Sequence, residues 1–164
     1  GIIRVMPNAP ASVLAGIAAL YPGPNSSAAD LQRAVTIFEC VGRTVTIKNE
    51  ALMDVVTGLS GSGPAFVFLL IESLSDAGVQ LGISRRESSL LAAQTVYGAA
   101  KMLIETGRHP SELKDIVATP GGTTFAGLKM LEKGNFRSTI MDAVEAATAR
   151  SRELGRLLNG PKKD

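Results

Sequence analysis

The sequence predicts a mainly α protein. A helical bundle is expected over residues 49–158, preceded by a small α/β segment over 1–48 and followed by a short tail over 159–164. Three observations carry this reading. Period-two alternation and short apolar runs bounded by turn residues occur only before Glu50. After it, apolar residues recur at helical spacing in one segment after another. Glycines, prolines and capping residues punctuate both parts where elements must end.

Gly1–Met6 is an apolar run ended by Pro7 and Pro10, the pattern of a strand entering a loop. A second strand is expected over Gly16–Tyr21, closed by Pro22, Gly23, Pro24 and Asn25. Ser26 or Ser27 then caps a helix whose apolar positions Leu31, Ala34, Val35 and Phe38 share one face, ending near Gly42. Thr44–Ile47 alternates polar and apolar residues, as a strand with one buried face does. Helices are expected over about 50–60, 64–81, 85–106, 110–118, 124–133 and 136–158. Pro64 suits a first-turn position, and Ser84 with Glu87 reads as a capping box. Gly78 or Gly82, Gly107 and Gly134 are placed to take the left-handed conformation that closes a helix.

The helix after Ser84 is the most informative. Between Glu87 and Glu105 its only charge is Lys101, and its faces are apolar or small nearly all round. Such a helix expects cover on every side, which a fragment of this size cannot supply, and Ala92, Ala93, Gly98 and Ala99 permit close approach of another backbone. The segment Ala65–Ile71 poses the same problem. A second copy of the chain is therefore expected to complete the core, the competing reading being a self-contained monomeric bundle.

With 164 residues the chain suffices for one domain or two small ones and is short for a complete two-domain cofactor enzyme. Lys and Arg number 17 against 15 Asp and Glu, aromatic residues make up 4% and Trp is absent. That composition argues against a nucleic-acid partner. The single cysteine, Cys40, makes no internal disulfide or cysteine metal site and suits a reducing compartment, so a soluble cytoplasmic protein is expected, with a mitochondrial location left open. The charge-free stretch Val55–Ile71 is interrupted by Gly58, Gly61, Gly63 and Pro64 and is expected to fall short of a membrane span.

The sharpest chemical feature is Thr119-Pro120-Gly121-Gly122-Thr123-Thr124 between two helices. Pro120 ends the first helix, and free N–H groups of Gly122, Thr123 and Thr124 are expected to point out of the second. The partial positive charge of that terminus suits a carboxylate or phosphate, and the threonine hydroxyls add donors and acceptors. A plain interhelical turn is the competing reading. Ser60-Gly61-Ser62-Gly63-Pro64 matches neither phosphate-binding fingerprint and reads as a tight elbow between packed helices. Gly155–Lys162 is a near miss to a P-loop that Pro161 disqualifies, and Arg150, Arg152, Arg156, Lys162 and Lys163 read as a solvated or interfacial basic end. His109, the only histidine, reads as a solvated loop residue, and no metal site is expected. Glu50 and Asp54, one helical turn apart, either face a small cationic ligand or follow the ordinary preference of acids for a first turn.

The 23-residue run from Pro110 to Glu132 resembles the signature of pyrroline-5-carboxylate reductases. Met6-Pro7-Asn8, Val56–Ala65, Ala92–Thr95 with Gly98–Met102, and Met141–Ala147 with Arg152–Leu154 resemble the same family in the same order. The resemblance implies a fold of two parts: the end of a Rossmann-like nucleotide-binding domain, then an all-helical domain that interleaves with a partner in a homodimer, with larger rings of dimers possible. It implies reduction of a small cyclic imine bearing a carboxylate to L-proline, with hydride from NADPH or NADH bound mainly by a domain that is largely absent from these residues. By the same resemblance Gly121, Gly122, Thr123 and Thr124 receive the carboxylate, with Thr119 beside them. The Thr124 hydroxyl is the catalytic contact to the ring nitrogen, Glu50 lies near the ring and Asn8 on the nicotinamide side.

Two departures stand out. The glycine-rich pyrophosphate fingerprint is absent, and Ile116 and Thr123 stand where relatives can carry polar and small residues. The chain alone is thus expected to be inactive. A non-catalytic helical oligomerisation module is the alternative from another class, and a different imine or β-hydroxyacid reductase is a third.

Overall fold

Ala18, Ala19 and Leu20 are consecutive and all buried, because their strand is covered on both faces. That strand, β2 (Gly16–Pro22), is the middle of three in the computed structural model, which describes residues 1–160. β1 (Ile3–Met6) pairs antiparallel with it, from Ile3 opposite Pro22 to Met6 opposite Ala19. β3 (Gly42–Thr46) pairs parallel on the other side, from Gly16 opposite Gly42 to Leu20 opposite Thr46. A parallel pair needs a crossover, and α1 (Ala28–Glu39) supplies it.

Of the two candidate caps for α1, the structure uses Ser27. Its hydroxyl accepts from the Asp30 N–H at 3.1 Å while the Asp30 carboxylate accepts from the Ser27 N–H at 2.9 Å. The Ser27 N–H first, then its hydroxyl and Arg33, hold the Asp30 carboxyl far below the usual carboxylate range. A depressed folded-state value means this support is complete above the ordinary carboxylate range and is lost as the pH falls toward the folded value.

The main departure from the expected elements lies at Ser60–Pro64. In place of two helices and an elbow there is one continuous helical run. It begins as a 3-10 turn over Glu50–Leu52, continues through α2 (Met53–Val56) and a π turn (Thr57–Gly61), and becomes α3 (Gly63–Gln80). The π turn is marked by the Ser62 N–H donating to the Thr57 carbonyl at 2.8 Å, five residues back. Pro64 sits in the first turn of α3, where its ring is tolerated although it supplies no N–H to the turn before it. Glu50–Gln80 is consequently 31 residues long and, by length and composition alone, apolar enough to cross a membrane, which corrects the expectation of an interrupted stretch.

The other helices fall where their spacing places them: α4 (Arg85–Thr106), α5 (Pro110–Val117), α6 (Thr123–Lys133) and α7 (Phe136–Asn159). Ser84 caps α4 by accepting from the Glu87 N–H, but the Glu87 carboxylate accepts the Ser84 hydroxyl proton at 2.8 Å, so the box closes on the side chain. Gly82 and Gly107 take positive φ as expected. At the end of α6 it is Asn135, not Gly134, that does so, and Gly78 stays inside α3. The end of the expected tail, from residue 161, lies outside the described residues, and with it Lys162 and Lys163 of the basic end.

By contact density the chain divides into two compact units: Gly1–Phe66 with the stretch from Ile140 onward, and Val67–Thr139. In the first, α7 lies against the π turn, with the Ser151 hydroxyl donating to Asp54 at 2.7 Å. In the second, α3 and α4 meet at buried serines, the Ser88 hydroxyl donating to the Ser75 carbonyl at 2.6 Å. Few large apolar side chains are enclosed: Leu20 and Met53 among the described residues. Phe68 and Leu69 on α3 are each 63% exposed, and Leu90 and Tyr97 on α4 are 69% and 58% exposed. One copy of the chain therefore leaves uncovered the helices that the sequence expects to be covered all round. Ala92 is used within the chain, whereas Gly98 and Ala99 line an open apolar groove of about 660 Å³ with Leu70, Leu103 and Val117.

Candidate functional site

The Thr119–Thr124 loop joins α5 to α6 within the second unit. α5 starts at Pro110, whose lack of an N–H costs nothing there, and His109 is its N-cap: the imidazole Nδ1 accepts from the Ser111 N–H at 3.2 Å. His109 thus has a structural task that its reading as a solvated loop residue missed, although a polar residue directly before a first-turn proline is a recognisable start signal. At the other end of α5 the Ala118 N–H returns to the Lys114 carbonyl at 3.0 Å, and Thr119 and Pro120 leave the helix.

The turn then closes by a hydrogen bond from the Gly122 N–H to the Thr119 carbonyl at 3.0 Å. This corrects one detail of the sequence reading, since the Gly122 N–H is consumed inside the loop. Gly121 holds φ +71, a left-handed conformation that a side chain would strain. A Cβ on Gly122 would collide with the Thr119 hydroxyl oxygen, so both glycines are needed for the turn to be this tight. Gly122 is the N-cap of α6 without contributing a side chain to it, and among the described residues no protein acceptor takes the N–H groups of Thr123 or Thr124. Nor does any protein group bond the half-buried Thr124 hydroxyl. Two adjacent donors at the positive end of a helix, with a hydroxyl alongside, can hold a carboxylate and reach one further polar atom. Next to the loop is a groove of about 280 Å³ lined by Ala118, Phe125 and Leu128, in which Lys114 and Lys129 are balanced by Asp115 and Glu132.

Glu50 and Asn8 belong to the first unit. Glu50 opens the helical run, is exposed, and accepts from Arg4 of β1 at 3.2 Å. Asp54, its candidate partner acid, is turned to α7 by the Ser151 bond and does not form a pair of ligand-facing carboxylates with it. Asn8 follows β1, and its amide is engaged at both ends: Oδ1 accepts from the Ile17 N–H at 3.0 Å, and Nδ2 donates to the Ser60 carbonyl at 3.1 Å. Nothing in the local pattern around Met6-Pro7-Asn8 announces a partner 52 positions away.

Residues 50–154 match the family described as pyrroline-5-carboxylate reductase dimerisation. The chain is 50% identical over 155 residues to the pyrroline-5-carboxylate reductase of Methanosarcina acetivorans, covering 94% of this chain and 57% of that relative. Among solved structures it is similar to a pyrroline-5-carboxylate reductase from Coxiella burnetii, with a TM-score of 0.91, 40% identity, and coverage of 93% of this chain and 57% of the other. It is likewise similar to the Plasmodium falciparum pyrroline carboxylate reductase with NADP bound, with a TM-score of 0.87, 42% identity, and coverage of 95% and 64%. The chain thus spans a little over half the length of these relatives. With the family match over the helical part and the structural match reaching through the three-stranded sheet, the chain belongs to the pyrroline-5-carboxylate reductase family.

Proposed function

We propose that residues 1–164 act within a pyrroline-5-carboxylate reductase, supplying the loop that receives the substrate carboxylate and the helices through which copies associate. The reaction is reduction of 1-pyrroline-5-carboxylate to L-proline with NADPH or NADH. The observation that carries this reading is the unclaimed pair of N–H groups at Thr123 and Thr124, within the segment most like the family's signature.

When bound, the nicotinamide supplies a hydride, and so two electrons, to the imine carbon. The protonated ring nitrogen then becomes the secondary amine of the product. No residue has to abstract a proton, and the chain's task is to bind and orient. The two N–H groups fix the carboxylate, and the Thr124 hydroxyl accepts from the ring N–H, which fixes the rotation of the ring about that anchor. Glu50, whose carboxylate accepts from Arg4, is assigned near the ring on the family resemblance alone. For the cofactor, the described residues contain no glycine-rich turn suited to a pyrophosphate, and Asn8 has its amide engaged in the fold. The fit is therefore confined to the loop Met6–Asn8 as the nicotinamide edge of a seat built mostly by other residues.

A homodimer is part of the same reading. It is supported by the dimerisation family matched over 50–154, the bare faces of α3 and α4, and the apolar groove beside Gly98 and Ala99. A second subunit covers such faces as lipid would, and it also gives small residues something to pack against. Rings of dimers extend this reading on the resemblance alone, and the exposed thiol of Cys40 suits a reducing cytoplasm.

In protein carrying a complete nucleotide-binding half, oxidation of NADPH or NADH is expected to depend on added pyrroline-5-carboxylate, and comparing the two coenzymes reads the preference. The 164-residue chain alone is expected to be inactive. Lack of turnover with both coenzymes sinks the reductase reading and leaves the non-catalytic oligomerisation module. Sedimentation at micromolar concentration is expected to give a dimer or larger species, and a monomer rejects the shared core.

A further inference from the structure

The hydrogen bond between Asn8 and Ser60 has a specific origin in the sequence. In a regular helix the Ser60 carbonyl would accept from the N–H four residues on, but that residue is Pro64, which has none. The part-buried carbonyl is left orphaned within the helical run, and the Asn8 Nδ2 supplies the missing donor at 3.1 Å. The other end of the same amide accepts from Ile17 on the central strand β2 at 3.0 Å. Around this clamp the Met6 methyl lies against Gly61 of the π turn, and Arg4 holds Glu50 at 3.2 Å. The end of β1, the start of β2 and the π turn are thereby fastened to one side chain, all inside the first compact unit.

We propose that Asn8 is a positioning residue for hydride transfer: its amide replaces the donor that Pro64 lacks, and so locks the Met6–Asn8 loop to the helical run that begins at Glu50. This rests on the reductase reading, in which that loop carries the nicotinamide edge and Glu50 lies near the substrate ring. Asn8 acts on the cofactor through the placement of its loop, since its amide is occupied by Ile17 and Ser60. Single π turns inside α-helices are frequent at functional sites, which fits this one.

Two variants test this in protein with the complete nucleotide-binding half. Asn8→Asp keeps the acceptor for the Ile17 N–H and removes the donor for Ser60. It also sets a carboxylate oxygen against the Ser60 carbonyl, so kcat is expected to fall at least about fivefold, from one lost hydrogen bond and that repulsion, with KM for the coenzyme changed less than about twofold. Pro64→Ala restores an internal donor for the Ser60 carbonyl, and in that background the further effect of Asn8→Asp on kcat is expected to be smaller by at least about twofold. A rise in coenzyme KM at constant kcat overturns the proposal in favour of direct contact, and equal effects of Asn8→Asp in both backgrounds overturn the link through Pro64. Amide hydrogen exchange over residues 57–63, which needs no substrate, is expected to quicken in Asn8→Asp, and unchanged exchange overturns the clamp. An inactive parent with quickened exchange in the variant counts against the reductase reading and the catalytic purpose of the clamp, not against the clamp.

Discussion

Gly58→Ala is expected to lower folding stability by about 1–3 kcal/mol, read as a fall in the denaturant midpoint at fixed protomer concentration. Gly58 is buried where the π turn meets α7. A Cβ there would stand 2.8 Å from the Val144 carbonyl oxygen and 2.9 Å from the Thr148 nitrogen, and would collide with the Thr148 hydroxyl. None of these can retreat cheaply. Two are backbone atoms of a helix, and the hydroxyl is itself held by donating to Val144 at 2.8 Å. The methyl must therefore push α7 away as a body, which also strains the Ser151–Asp54 bond one turn further along. Gly127→Ala is the control: the same addition on the exposed side of α6 meets nothing within 4 Å and precedes no proline, and alanine is the better helix former, so stability is expected to hold or rise slightly. Equal losses in the two variants would place the cost in general helix geometry and not in the contact with α7.

The contrast between these two glycines marks where the sequence stops being legible. Helix spacing, the caps Ser27 and Ser84, Pro110 as a first-turn residue and the short strands are local signals, and the structure follows them closely. The Thr119–Thr124 loop is legible for the same reason, since its chemistry comes from neighbours in the chain. Gly58, Gly61, Gly63 and Pro64 look alike as helix breakers, yet here one is a close-packing site, one meets Met6, one faces open space and the proline creates an orphan carbonyl. Those roles are set by Thr148, Met6 and Asn8, far away in sequence, and periodicity carries no trace of them. The Gly122 N–H is a smaller case of the same kind: whether a first-turn donor is free depends on how tightly the preceding turn closes. The exposed faces of α3 and α4 are a different case. Their apolar character is plain in the sequence, but a single chain does not contain the surface that answers it.

Thr124→Ala is expected to reduce kcat/KM for pyrroline-5-carboxylate about ten- to hundredfold in protein with the complete nucleotide-binding half, corresponding to a lost hydrogen bond of about 1–3 kcal/mol. The backbone N–H of residue 124 survives the substitution, so the carboxylate keeps both of its donors and the loss isolates the hydroxyl. Alanine is also a good helix former at a first-turn position, and no protein group depends on the hydroxyl, so the fold should be unaffected. A change confined to KM would mean that the hydroxyl only adds to ground-state binding. A fall in kcat means that it orients the ring for hydride arrival, since an interaction must be stronger in the transition state to speed the chemical step. Thr124→Ser, which keeps the hydroxyl and drops the methyl, should recover most of the activity. Thr123→Ala should cost less than Thr124→Ala, because its exposed hydroxyl is assigned no contact with the ring nitrogen. An unchanged kcat/KM in Thr124→Ala rejects the hydroxyl as the catalytic contact and leaves carboxylate capture by the two N–H groups as the loop's whole contribution.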